Sequence, residues 1–124
     1  MKVISTSLKD VLLIEPSVFE DKRGFFMETY QKEIYRELGI DSDFVQDNHS
    51  RSSMGVVRGL HFQYSPPMGK LMRVTVGSAY LVAVDIRKAS PTLGRHFGIE
   101  VSAEASCGTS LDGSLALSYA EGSN

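Results

Sequence analysis

Apolar residues along this chain come in short runs that alternate with polar ones, and turn-forming residues separate the runs. That pattern predicts strands. "VISTSLKDVLLIEP", Val3 to Pro16, holds two apolar strand-like pieces and stops at its proline. "FEDKRGFFMETY" turns at Asp21–Gly24 and re-enters a strand through Phe25 and Phe26. One helix is expected near residues 30–39, because Tyr30, Ile34 and Leu38 recur at four-residue spacing and Gly39 is a natural stop. "DFVQDNHSRSS" alternates again, which predicts a strand with Gln46, Asn48 and Ser50 on one face and Val45, Asp47 and His49 on the other.

"KLMRVTVGSAYLVAVDIR" predicts a hairpin around Gly77–Ser78, a two-residue loop with glycine first. In that register Val76 pairs with Ala79 and Lys70 lies opposite Asp85. Met72, Val74, Leu81 and Ala83 would line the same face, so the lysine and carboxylate would meet at the edge of an apolar lining.

"GVVRGLHFQ", Gly55 to Gln63, carries Arg58 and His61 among residues that ask for a buried sheet. A perfect strand would point the two to opposite sides. Gly59 lies between them, and an isolated strand glycine often marks a bulge. A bulge there is predicted to bring both side chains to one face.

The bulk properties narrow the class. With 124 residues, 42% hydrophobic and 23% charged, the chain fits a single all-β domain over residues 1–124 with a modest core. A formal net charge of −2 speaks against a nucleic-acid partner or an anionic membrane surface. No apolar run reaches spanning length, and "MKVISTSLKD" lacks the apolar core of a signal peptide. One cysteine, Cys107, rules out an internal disulfide and fits the reducing cytoplasm; it reads as a passive small residue.

Several polar groups in one small apolar domain are costly unless they meet each other or a ligand. Arg58, His61, Lys70, Asp85, Gln46 and Asn48 are such a set. Arg23, Arg58, Lys70 and Arg73 outnumber Asp85 and Glu28 around it, and guanidinium forks suit phosphate oxygens. Arg73, whose parity opposes Lys70, reads as a solvated residue. His49, His61 and His96 make no metal-ligand spacing, so no metal or other cofactor is expected. "MGKLMR" lacks the glycine spacing and helix of a phosphate loop.

Four blocks in order, "FEDKRGFFMETY", "FVQDNHSRSSMGVVRGLHFQ", "PPMGKLMRVTVG" and "VAVDIRKASPTLGRHFGIEVSAE", together resemble the dTDP-4-dehydrorhamnose 3,5-epimerases, metal-independent members of the cupin superfamily. The resemblance implies a jelly-roll β barrel, a homodimer with N-terminal strand residues reaching into the partner's site, and a dTDP-4-keto-6-deoxyhexose substrate. It implies that His61 removes protons beside the C4 ketone and that Lys70, partnered by Asp85, stabilises the enolate oxygen. Arg58, Gln46 and Asn48 match ligands of the diphosphate and neighbouring groups. Arg23, Glu28, Phe19 and Phe26 match residues that grip the nucleotide end.

The likeness runs to about Glu104, and residues 105–124 diverge from it. The tyrosine acid and the histidine-partner aspartate found later in the family are unmatched, and Tyr119 does not take the tyrosine role. A chain shortened or altered after Glu104 is expected to leave an incomplete barrel, its gap closed by a tail strand through "SLALSY" or by dimerisation. Its function is then expected to be epimerisation at C3 and C5 of the 4-keto sugar, in deoxysugar biosynthesis. Epimerisation at one position, or binding without turnover, remains an alternative.

Overall fold

The computed structural model describes residues 1–104 with their side chains, together with the backbone of 108–111 and 115–121. Strands β1 (Lys2–Ser5), β2 (Val11–Glu15), β3 (Val18–Asp21) and β4 (Gly24–Met27) precede helix α1 (Lys32–Glu37). Then follow β5 (Val57–His61), β6 (Lys70–Arg73), β7 (Ser78–Asp85), β8 (His96–Ser102), β9 (Gly108–Leu111) and β10 (Leu115–Glu121). They build two four-stranded sheets, ordered β1-β2-β9-β6 and β5-β10-β7-β8, and β3–β4 forms a separate hairpin. All pairings are antiparallel.

The core lies between the two sheets. Leu8 and Val11 from one side meet Ala83 from the other, with Met72 and Phe97 packed alongside. Ala79, Leu81 and Val101 make a second cluster with Met72, Val74 and Ile99. Burying each such aliphatic side chain is worth roughly 1.5–3 kcal/mol, and this holds the sandwich closed. The all-β jelly-roll expectation is borne out. No helix among the described residues is long and apolar enough to cross a membrane.

Strand β2 explains why "VLLIE" is apolar on both faces. Val11 faces the inter-sheet core, while Leu12 and Ile14 face a third cluster with Tyr35, Ile40, Phe44 and Leu71. That outer cluster is built by α1. The Gln31 side chain caps its N-terminus, accepting from Ile34 N at 2.8 Å. Its end is a Schellman turn: Gly39 takes φ +89°, and Ile40 N donates to Tyr35 O at 2.8 Å. The turn folds Ile40 back onto Tyr35. The most buried helical side chain is therefore Tyr35, 3% exposed, rather than a member of the Tyr30–Ile34–Leu38 stripe. Tyr30 instead packs edge-on against Tyr35 and Phe44, with centroids at 4.9 and 5.6 Å.

The hairpin expected at Gly77–Ser78 is not formed. β6 pairs with β9 in one sheet, and β7 pairs with β8 and β10 in the other. Residues Val74 to Gly77 carry the chain across from one sheet to the other. Ala79 lies opposite Val101 and position 121, and Val76 is 72% exposed. Alternation explains why the expectation was half right: Met72, Leu81 and Ala83 do enter the core, but from facing sheets, and Val74 joins them from the crossover. A hairpin and a crossover impose the same parity, and only competition for ladder partners separates them.

Two further expectations change. "DFVQDNHSRSS" runs without a ladder partner among the described residues and is not a strand. β5 is exposed along its whole length because it is an edge strand; Val57, for example, is 72% exposed. The expected tail strand is present: β10 lies between β5 and β7, and β9, which the sequence pattern did not predict, lies between β2 and β6. Cys107 lies outside the described residues.

Candidate active site

The predicted bulge sits where Gly59 placed it. Positions 117 and 119 of β10 are two residues apart, yet their β5 partners, His61 and Arg58, are three apart. The extra residue in β5 is accommodated around Gly59, whose φ is +118°. Positions 117 and 119 also oppose Ala83 and Leu81, which face the core. The register thus turns Arg58 and His61 toward the same inner side. Lys70 shares that side by parity with Met72 and is half-buried at its end of β6.

Arg58 donates to Ser52 Oγ from Nε at 3.3 Å and Nη2 at 3.0 Å. Gln46 Nε2 donates to Asn48 Oδ1 at 3.2 Å, so these two share a side as expected even without a strand. Arg58, Gln46 and Asn48 all line one cavity of about 1740 Å³. Tyr30, Tyr35 and Phe44 give it an aromatic floor. His61 and Lys70 are not among its lining residues.

Asp85 is not the partner of Lys70. It is fully buried, 0% exposed, and the Arg87 guanidinium holds it in two bonds of 3.0 Å, Nε to Oδ1 and Nη2 to Oδ2. Arg87 N adds a third at 3.0 Å, Thr92 Oγ1 a fourth at 2.6 Å, and Ser90 Oγ a fifth. Arg87, and against the cost of burial also Ser90 and Thr92, hold the carboxyl well below the usual carboxylate range. Arg87 reaches on to Asp10 Oδ2 at 2.8 Å. Asp10 occupies the left-handed region at φ +70°, so the network ties the β1–β2 loop to the end of β7. Among the described residues Lys70 makes no ion pair. The expected pairing failed because the two residues stand on different sheets. An Asp and an Arg two apart at a strand end share a face, and that was the available signal for Asp85–Arg87.

The β3–β4 hairpin collects the remaining expected residues except one. Phe19 and Phe26 are cross-strand partners, and with Arg23 they line a separate depression of about 460 Å³. Arg23 is held by Asp21, with Nε to Oδ2 at 3.0 Å. Glu28, past the end of β4, is exposed and outside that depression's lining. These residues do not line the cavity of Arg58. Sequence reasoning missed Arg51 and His49 as cavity residues, and Arg73, exposed as its parity required, lines the cavity too.

Two facing antiparallel sheets around a cation-lined cavity define a cupin-type jelly-roll protein with a site suited to an anionic ligand. Residues 5–119 match the family model described as dTDP-4-dehydrorhamnose 3,5-epimerase, and the chain belongs to that family. It is 54% identical over 106 residues to the dTDP-4-dehydrorhamnose 3,5-epimerase of Shigella flexneri, covering 84% of this chain and 59% of the relative. The fold is similar to the crystal structure of that enzyme from Elizabethkingia anophelis NUHP1, with TM-score 0.93 and 43% identity over 99% of this chain and 68% of the other. A dTDP-6-deoxy-D-glucose-3,5-epimerase from Legionella pneumophila, solved in complex with dTDP-4-keto-L-rhamnose, gives TM-score 0.93 at 43% identity over 98% of this chain and 65% of that one. The chain spans 59% of the length of the Shigella relative.

Proposed function

We propose that this protein epimerises dTDP-4-dehydro-6-deoxy-D-glucose at C3 and C5, giving dTDP-4-dehydro-L-rhamnose, by removing protons beside the C4 ketone. The observation that carries the reading is the β5 bulge, which turns Arg58 and His61 to one inner side in a chain that matches the epimerase family model over residues 5–119. A C–H beside a ketone becomes acidic only when the enolate is stabilised as it forms. In this reading Lys70 supplies that positive charge, the His61 imidazole accepts the proton, and solvent, in place of the unmatched tyrosine, returns a proton to the opposite face of the enolate to complete each inversion. Arg58, with Gln46 and Asn48 beside it, grips the diphosphate through charge-assisted hydrogen bonds. Asp85 acts at one remove: through Arg87 it fixes the end of the sandwich at which β7 terminates. No cofactor takes part, since the ketone itself is the electron sink.

The reading includes a cytoplasmic homodimer. Phe19, Phe25 and Phe26 on the β3–β4 hairpin are largely exposed, and an apolar hairpin of this kind supports a second copy as the partner. Arg23 and Glu28 would then act on the partner's nucleotide.

Incubation with the 4-keto sugar nucleotide in heavy water tests the reaction. Deuterium at both C3 and C5 with inverted configuration is the expected result. Incorporation at one carbon would narrow the activity to a single position. No incorporation, with the nucleotide still bound, would reduce the protein to a binder.

A further inference from the structure

The segment before β5 has no ladder partner among the described residues, yet one of its side chains is tied to β5. Residues Ser53 to Val56 form a turn, in which Val56 N donates to Ser53 O at 3.3 Å and Gly55 takes φ +83°. The turn reverses the chain, so the residue before it comes back beside the start of β5. The two residues that meet there are Ser52 and Arg58.

Ser52 Oγ accepts from Arg58 Nε at 3.3 Å and from Nη2 at 3.0 Å. A hydroxyl oxygen has two lone pairs, and the two bonds match both. Ser52 is half-buried, whereas Arg58 is exposed. An exposed arginine loses rotamer freedom when a ligand captures it, and that loss subtracts from affinity. Bonds to Nε and Nη2 from one oxygen set the plane of the guanidinium beforehand and aim its Nη1–Nη2 edge away from Ser52. Such an edge meets two phosphate oxygens at once. Arg23, Arg36 and Arg87 are instead held by carboxylates. A carboxylate orients a guanidinium and neutralises it; a hydroxyl orients it and leaves the charge for the ligand.

We propose that Ser52 is a positioning residue, whose hydroxyl pre-orients the Arg58 guanidinium for the diphosphate of the ligand. The proposal rests on the sugar-nucleotide reading above, in which Arg58 grips that group, and extends it to the segment before β5.

Calorimetric titration of the full chain with dTDP, and with thymidine as a probe that has no phosphates, tests it. Ser52→Ala is expected to weaken dTDP about fivefold, in line with the cost of immobilising one rotamer-rich side chain, and to leave thymidine unchanged. Ser52→Thr keeps the hydroxyl and is expected to bind dTDP as the native chain does. In an Arg58→Met background, itself weakened, Ser52→Ala is expected to change nothing further, because the group it orients is gone. Unchanged thermal melting, expected for a bond at the surface, separates lost orientation from unfolding. A Ser52→Ala chain that binds dTDP as tightly as the native one, loses thymidine equally, or weakens dTDP by the same factor without Arg58 would overturn the proposal and leave the sugar-nucleotide reading intact. An Arg58→Met chain with native affinity for dTDP would remove Arg58 from that reading and overturn the proposal with it. A native chain that binds no dTDP would sink both.

Discussion

Replacing Asp85 by asparagine should be among the most destabilising single changes in this protein. The carboxylate is completely buried and accepts two 3.0 Å bonds from the Arg87 side chain, one from its backbone, and two from Ser90 and Thr92. An asparagine keeps the shape but removes the charge, and it puts an amide N–H where an acceptor is required. Breaking one side of a buried ion pair costs about 3–5 kcal/mol, because the remaining charge is left uncompensated. Here the lower end applies: the Arg87 side chain is 22% exposed and keeps its bond to Asp10. A loss of about 3 kcal/mol is a large share of the roughly 5–15 kcal/mol that holds a domain of this size folded. Urea unfolding of native and Asp85→Asn chains at pH 7 measures it.

The pH dependence supplies a second readout. The folded-state pKa of Asp85 is depressed below its unfolded value of about 3.9. Its contribution is therefore complete well above pH 4 and is lost as the pH falls from there toward the folded value. The deficit of the Asn variant should be constant between about pH 5 and 7 and shrink on acidification below about pH 4. A deficit under about 1 kcal/mol at pH 7, or one that does not shrink in acid, would refute the reasoning. Combining Asp85→Asn with Arg87→Met should cost less than the sum of the single changes, since the second removes the stranded charge.

Tyr35→Phe removes the bond from the hydroxyl to Thr29 O, 2.7 Å long, while keeping the ring, and should cost about 1 kcal/mol in the same urea assay. Tyr35→Ala also empties the cluster with Ile14 and Ile40 and should cost about 3–5 kcal/mol; equal effects would mean that the ring contributes nothing. Sedimentation velocity should show a dimer that Phe26→Asp weakens, because a charge replaces an exposed apolar group on the hairpin. A native chain that sediments as a monomer throughout would remove the homodimer from the proposed function.

By itself the sequence determined what is local. Runs of alternating residues marked most of the strands, Asp21 and Gly24 marked the β3–β4 turn, and Gly39 ended the helix by way of its positive φ. Gly59 between Arg58 and His61 predicted a bulge, and the register with β10 contains it. These features depend on backbone geometry within a few residues, which side-chain type controls directly.

Tertiary structure decided what needs a distant partner. Parity put Lys70, Met72, Leu81, Ala83 and Asp85 on inner faces, but it is blind to whether two strands lie side by side or across a core. β9 and β10 took the ladder positions that a β6–β7 hairpin would have used, and Lys70 and Asp85 were parted as a result. Once they were on different sheets, the shorter reach from Asp85 was to Arg87, two residues along the same chain. The cavity followed the same rule: Arg51, Arg58 and Arg73 come from three stretches, and only the folded chain makes them lining residues of a single space.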